Sequence, residues 1–145
     1  MKRLTTLSIL TVAILCACTV VDAAYIRQFP VTVTTDGSGN ATVYTTAAIN
    51  GYIESVRYVK TDFADGVDVD ITTEDTGVVV LDKDSVNASV TYSPRHTVQD
   101  TTGADVTYDG TRVVHERIAV AGERIKIVIA SGGDKKTGTF YITVD

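Results

Sequence analysis

Six carboxylates fall within fourteen residues at Asp62, Asp65, Asp68, Asp70, Glu74 and Asp75. Such a density would suit Ca2+, which takes about six to eight oxygen ligands. The spacing is not that of an EF-hand loop, however, and Asp68 and Asp70 alternate with Val67, Val69 and Ile71 as the wet side of a strand does. The run therefore reads as a solvated acidic edge that discourages strand-to-strand aggregation. The only histidines, His96 and His115, lack H-x-x-x-H or H-E-x-x-H spacing, so a zinc site would need ligands gathered from distant loops. Serine, histidine and aspartate are all present, yet no serine sits in a G-x-S-x-G elbow with a base and an orienting acid in view. Gly132-Gly133 before Lys135-Lys136 resembles a phosphate cradle only superficially, because it joins two strands and opens no helix whose N-terminus could hold an anion. The expectation is a protein without catalytic residues, metal or cofactor.

The remaining reactive side chains stand at the start. Met1-Lys2-Arg3, an apolar run from Leu4 to Leu15 and then small residues make residues 1–23 an export signal. Two processing sites compete there. Leu15-Cys16-Ala17-Cys18 resembles the lipobox of bacterial lipoproteins, which implies a lipid on Cys18; Cys16 departs from the small residue usual at its position. Val21-Asp22-Ala23 instead fits ordinary signal peptidase, releasing a chain that starts at Ala24. A third reading makes residues 1–23 a misassigned start. Export would address the protein to the cell envelope or periplasm.

Composition narrows the function classes. The chain has 145 residues with 18 acidic against 13 basic side chains and a formal charge of −5. An acidic domain lacks the basic footprint through which proteins bind nucleic acid, and any membrane attachment would come from the lipid alone. Both cysteines precede residue 24, so residues 24–145 form one domain whose stability rests on burial and hydrogen bonding without disulfides.

Two-residue periodicity dominates that domain. Val31 and Val33 alternate with threonines before the turn Asp36-Gly37-Ser38-Gly39-Asn40, and Ala41 to Thr45 comes next as the expected hairpin partner. Ile125, Ile127 and Ile129, then a turn at 131–136, then Phe140, Ile142 and Val144 suggest a second hairpin, and 112–120 with 123–130 a third. In 51–60 the face carrying Tyr52, Glu54, Val56 and Tyr58 is expected to point inward. No 3.6-residue apolar period persists. About eight short strands make an all-β chain, an antiparallel sandwich of jelly-roll type.

Ser93 to Thr111 resists this pattern. It is polar, holds Pro94, Gly103 and Gly110, and would be a loop of about nineteen residues unless Asp105 to Tyr108 forms a brief strand; loops that long are uncommon and often functional. Tyr92, Pro94, Arg95, His96 and Tyr108 are the candidate partner-contact residues. Tyr92 and Tyr108 are also the available aromatic platform for a sugar.

The run from Tyr25 to Asp36, the stretch Gly66–Thr72 leading into Thr76-Gly77, Val86-Asn87-Ala88-Ser89, Pro94-Arg95, and Glu123–Gly133 with Lys136–Phe140 resemble small virion structural proteins of tailed bacteriophages and prophages. The likeness spans almost all of residues 24–145. It implies a decoration or cement protein, or an accessory head or tail protein, that folds as a β-sandwich, self-associates and packs edge strands and loops against capsid or other virion subunits. It transfers no catalytic or ligand motif. The leader departs from it, since virion proteins assembled in the cytoplasm need no export. The competing expectation is an exported lipoprotein displaying a ligand- or carbohydrate-binding sandwich.

Overall fold

The computed structural model describes residues 25–145. Cys16, Cys18 and the Val21-Asp22-Ala23 site lie outside the described residues. Eleven strands run through the described chain: β1 (Arg27–Thr34), β2 (Ala41–Tyr44), β3 (Ile49–Lys60), β4 (Val67–Thr73), β5 (Val79–Val86), β6 (Val90–Tyr92), β7 (His96–Thr97), β8 (His115–Glu116), β9 (Ile118–Glu123), β10 (Ile125–Ala130) and β11 (Thr137–Val144). No helix occurs among the described residues.

Two antiparallel sheets face each other, in the orders β1-β11-β3-β6 and β2-β10-β4-β5, with β9 added on the edge of β3. Apart from the β4–β5 and β7–β8 pairs, neighbours in sequence go to opposite sheets. The β1–β2 pair lies against β11–β10, and β3–β4 lies against β6–β5, which is a long antiparallel ribbon rolled on itself: the jelly roll. The all-β antiparallel sandwich is thus the architecture of the chain.

The strands carry the periodicity, but three expected hairpins are not hairpins. β1 pairs with β11, and β2 with β10, so the turns at 35–40 and 131–136 are crossovers between sheets. β9 pairs with β3, while β10 pairs with β4. Periodicity reports which side of a strand is buried and is silent on which strand lies beside it. The two crossovers touch: Gly132 donates its N–H to the Gly39 carbonyl at 2.9 Å. A Cβ on Gly39, which has φ +82°, would stand 2.9 Å from the Gly133 nitrogen, so this approach of backbone to backbone requires glycine. Beside it the buried Thr35 hydroxyl donates to Gly133 O at 2.6 Å and accepts from Lys136 N at 2.9 Å.

In β3 the inward face changes partway. Ile49 and Ile53 are buried, then Val56 and Tyr58, while Tyr52 is 46% exposed. A register shift opposite Thr143 and Val144 places a bulge between the two halves and turns Tyr52 outward, against expectation. Ile125, Ile127, Ile129, Phe140, Ile142 and Val144 all enter the core, each large side chain contributing about 1.5–3 kcal/mol by leaving water. Tyr58 stacks between Phe63 and Phe140, at centroid distances of 6.1 and 5.1 Å. Gly138 makes room for that stack, since its Cβ would lie 2.6 Å from Phe63 Cε2.

One polar clamp ties the sheets together. Glu123, at the end of β9, is 8% exposed. Its Oε2 accepts the N–H groups of Asp75 and Thr76 at 2.9 and 3.0 Å, and its Oε1 accepts the Thr76 hydroxyl at 2.8 Å. Next to it, Arg124 makes a two-pronged pair with Glu74 and lies 4.9 Å over the Tyr44 ring.

Candidate functional site

The polar stretch between β6 and β9 is neither a loop nor part of the sandwich. It folds on itself into an arm. Val98 N–H donates to Val114 O at 2.9 Å, Val114 N–H to Val106 O at 2.9 Å, and Val106 N–H to Val98 O at 2.8 Å. The three residues are spaced by eight, and the bonds close a triangle in which each segment pairs with both others. β7–β8 and the bridges Gln99–Asp105 and Thr107–Val113 extend its three sides. Closure leaves that layer without an exposed edge. The expected brief strand at 105–108 is thereby reduced to one side of this triangle, a single bridge on each flank.

The turns at the far end are locally specified. Asp100 Oδ1 accepts from Thr102 N, the Thr102 hydroxyl and Ala104 N, at 2.8, 2.7 and 3.0 Å. Asp109 Oδ1 does the same for Thr111 and Arg112 N–H. These are aspartate turns in which the side chain substitutes for a backbone acceptor. The Thr102 hydroxyl and the backbone N–H groups hold the Asp100 carboxyl below its ordinary value.

The near end is bolted to β3. Arg95, entering the arm, reaches Glu54 Oε2 at 3.2 Å, and Arg117, leaving it, reaches Glu54 Oε1 at 2.6 Å. Arg117 also bonds Asp145 at 3.0 Å and lies 4.5 Å over the Tyr52 ring. His96 faces Glu116 at 3.2 Å across the two legs. The Arg117 hydrogen bond, with the nearby guanidinium charges, holds the Glu54 carboxyl below its ordinary value.

Of the candidate contact residues, Tyr108 sits at the outer turn and is 82% exposed. Tyr92 is different: it lies in β6 and packs against the core. The two tyrosines therefore make no shared platform for a sugar. Pro94 is half-buried and Arg95 and His96 are occupied at the arm's base. The acidic run is likewise dispersed, with Asp62 accepting from Thr137 N–H, Asp65 paired to Lys60, Asp68 accepting from Ser85 N–H and Glu74 held by Arg124. Among the described residues no three His, Cys, Asp or Glu side chains converge on a metal position. A depression of about 280 Å3 lies between β2 and β10, lined by Asp36, Thr42, Val128 and neighbours; it gathers no acid–base pair.

Glu54 and Arg117 look like ordinary strand residues in the sequence, and nothing local marks them as the arm's anchor. The triangle does carry a signal: Val98, Val106 and Val114 recur at a spacing of eight, with Asp100…Gly103 and Asp109-Gly110 between them.

No protein-family model and no curated protein matches this chain. Among solved structures it is similar to a chain described as "Structure of infectious bursal disease virus Gx strain", at 10% identity and a TM-score of 0.31, over 83% of this chain and 32% of that one. The chain thus spans about a third of that protein's length.

Proposed function

We propose that this chain is a non-enzymatic structural protein that works through contacts with other protein subunits, as a component of a phage or prophage particle. The observation that carries the reading is the arm: about two dozen residues fold apart from the core, closed by their own hydrogen bonds and fixed to β3 by two arginines on one carboxylate. Ordering such a segment costs about 1–2 kcal/mol per residue in backbone entropy, and none of its side chains belongs to the buried core. A preformed projection spends that entropy before a partner arrives, which is how pre-organisation raises affinity. Jelly rolls host capsid subunits and lectins alike, so the fold class does not choose between them.

Purified particles from a producing strain test this. The protein should co-purify with particles, and a variant in which residues 97–115 are replaced by a short Gly-Ser linker should be lost from them. Absence of the native protein from particles overturns the reading.

The Leu15-Cys16-Ala17-Cys18 motif favours a second reading, an exported lipoprotein in the cell envelope. Palmitate labelling abolished by Cys18→Ala is its expected signature, and an unlabelled native protein removes it.

A further inference from the structure

The two outer faces of the sandwich differ in charge. On the β1-β11-β3-β6 sheet the outward positions of β1 and β11 are mostly hydroxyls, with Thr32 opposite Thr139 and Thr34 opposite Thr137 at 3.3 and 3.4 Å between oxygens. One row carries more: Tyr141 is paired with Arg57, whose guanidinium lies 5.7 Å over the ring. From Ser55 onward in β3, and along β1, β11 and β6, no outward position is a carboxylate. Arg57 is exposed and has no carboxylate partner among the described residues, in a chain that carries 18 acidic side chains.

The outer face of the other sheet is acidic along β4 and β5, while β10 places Lys126 on the same face opposite Thr72. Asp70 in β4 stands directly opposite Asp82 in β5, with Asp68 one step along. Both Asp70 and Asp82 are exposed. Like charges directly opposite across two strands are destabilising, and neither carboxylate has a cation partner among the described residues. A guanidinium placed between them would relieve the repulsion through short charge-assisted bonds, the geometry to which arginine is suited.

We infer that copies of this chain stack face to face, with Arg57 on Tyr141 of one copy docking against the Asp70–Asp82 pair of the next. Tyrosine and arginine are the residue types that dominate binding hot spots. The uncharged surround would not oppose the pairing. Because one face meets a different face, the contact is head-to-tail and does not close as a two-fold dimer does, so it extends beyond two copies, into open rows or closed rings. The inference deepens the subunit-contact reading above and rests on it.

Sedimentation of the full chain across a concentration series tests it. Wild type should associate into assemblies larger than dimers, more strongly at low than at high salt. Arg57→Glu, and separately the double variant Asp70→Arg/Asp82→Arg, should each weaken association by about tenfold or more while melting like wild type. The milder Arg57→Gln serves if a reversal impairs folding. Mixing the two reversed variants should restore pairing between them. Wild type that stays monomeric, or associates undiminished in Arg57→Glu, overturns this surface. Neither result bears on recovery in particles, the measurement on which the subunit-contact reading stands.

Discussion

Tyr58 is buried to 1% and its hydroxyl has no partner among the described residues, a desolvation that pushes its phenol up to about 12. An orphaned buried hydroxyl costs about 1–3 kcal/mol, whereas the ring's stacking on Phe63 and Phe140 survives its removal. Tyr58→Phe should therefore raise stability by about 1 kcal/mol, read as a higher urea midpoint with unchanged slope; a lower midpoint would mean that the hydroxyl has a role in the core. Gly138→Ala should act oppositely, since a methyl 2.6 Å from Phe63 must displace the aromatic stack, and overpacking of this kind costs about 1–3 kcal/mol. The carboxylates also set a pH limit. Glu123 is held low by the Thr76 N–H and hydroxyl, Glu74 by Arg124, Glu54 by Arg117, and Asp36 by the Asn40 and Ser38 N–H groups. Each folded-state value lies below the unfolded one, so their stabilisation is complete above the ordinary carboxylate range and is lost as pH falls through the lowered values. Melting temperature should be flat near neutrality and drop below about pH 4. In Glu123→Gln the drop should shrink, with a lower plateau. Of these residues, the sequence marks Ile127 and Phe140 as core because alternation is local, but the Glu123 clamp joins residues nearly fifty positions apart and leaves no local trace.

Strand content was legible for the same reason that strand partners were not. Alternation of Val69 and Ile71 with Asp68 and Asp70 names a buried side, while the pairing of β1 with β11 joins the two ends of the chain and is settled by the rolled topology. Four of the sheets' edge strands are blunted. β1 carries Pro30, β2 has four residues and β6 three, and β5 is broken by two register shifts and by Ser85 at φ 55°. Proline, short length and bulges are the devices that stop edge-to-edge pairing. Edge strands and loops were the expected subunit contacts; in the function proposed above, the arm and the sheet faces take that role. The arm's base can be probed alone. Glu54→Gln removes the charge that both Arg95 and Arg117 address, so amide exchange at Val98, Val106 and Val114 should quicken several-fold while the exchange of β10 stays unchanged. Equal acceleration in both would show that the arm and sandwich open together.

At the scale of the molecule, the arm is inserted between β6 and β9, and both of these strands are held by the same edge of β3. The chain therefore leaves and re-enters the sandwich at neighbouring positions, and an insertion with closely spaced ends perturbs its host little. The core residues are drawn from the sheets and from Phe63, with none from 93–117. Replacing residues 97–115 by a short linker should leave the unfolding free energy, read from urea titration, within about 1 kcal/mol of wild type, because loop-closure entropy changes slowly with length. Ile127→Asp, which buries an unpaired charge between the sheets, should abolish cooperative unfolding in the linker variant and the full chain alike. A linker variant that unfolds would make the arm part of the fold's own stability, and the entropy already spent in ordering it would then serve the sandwich and no partner.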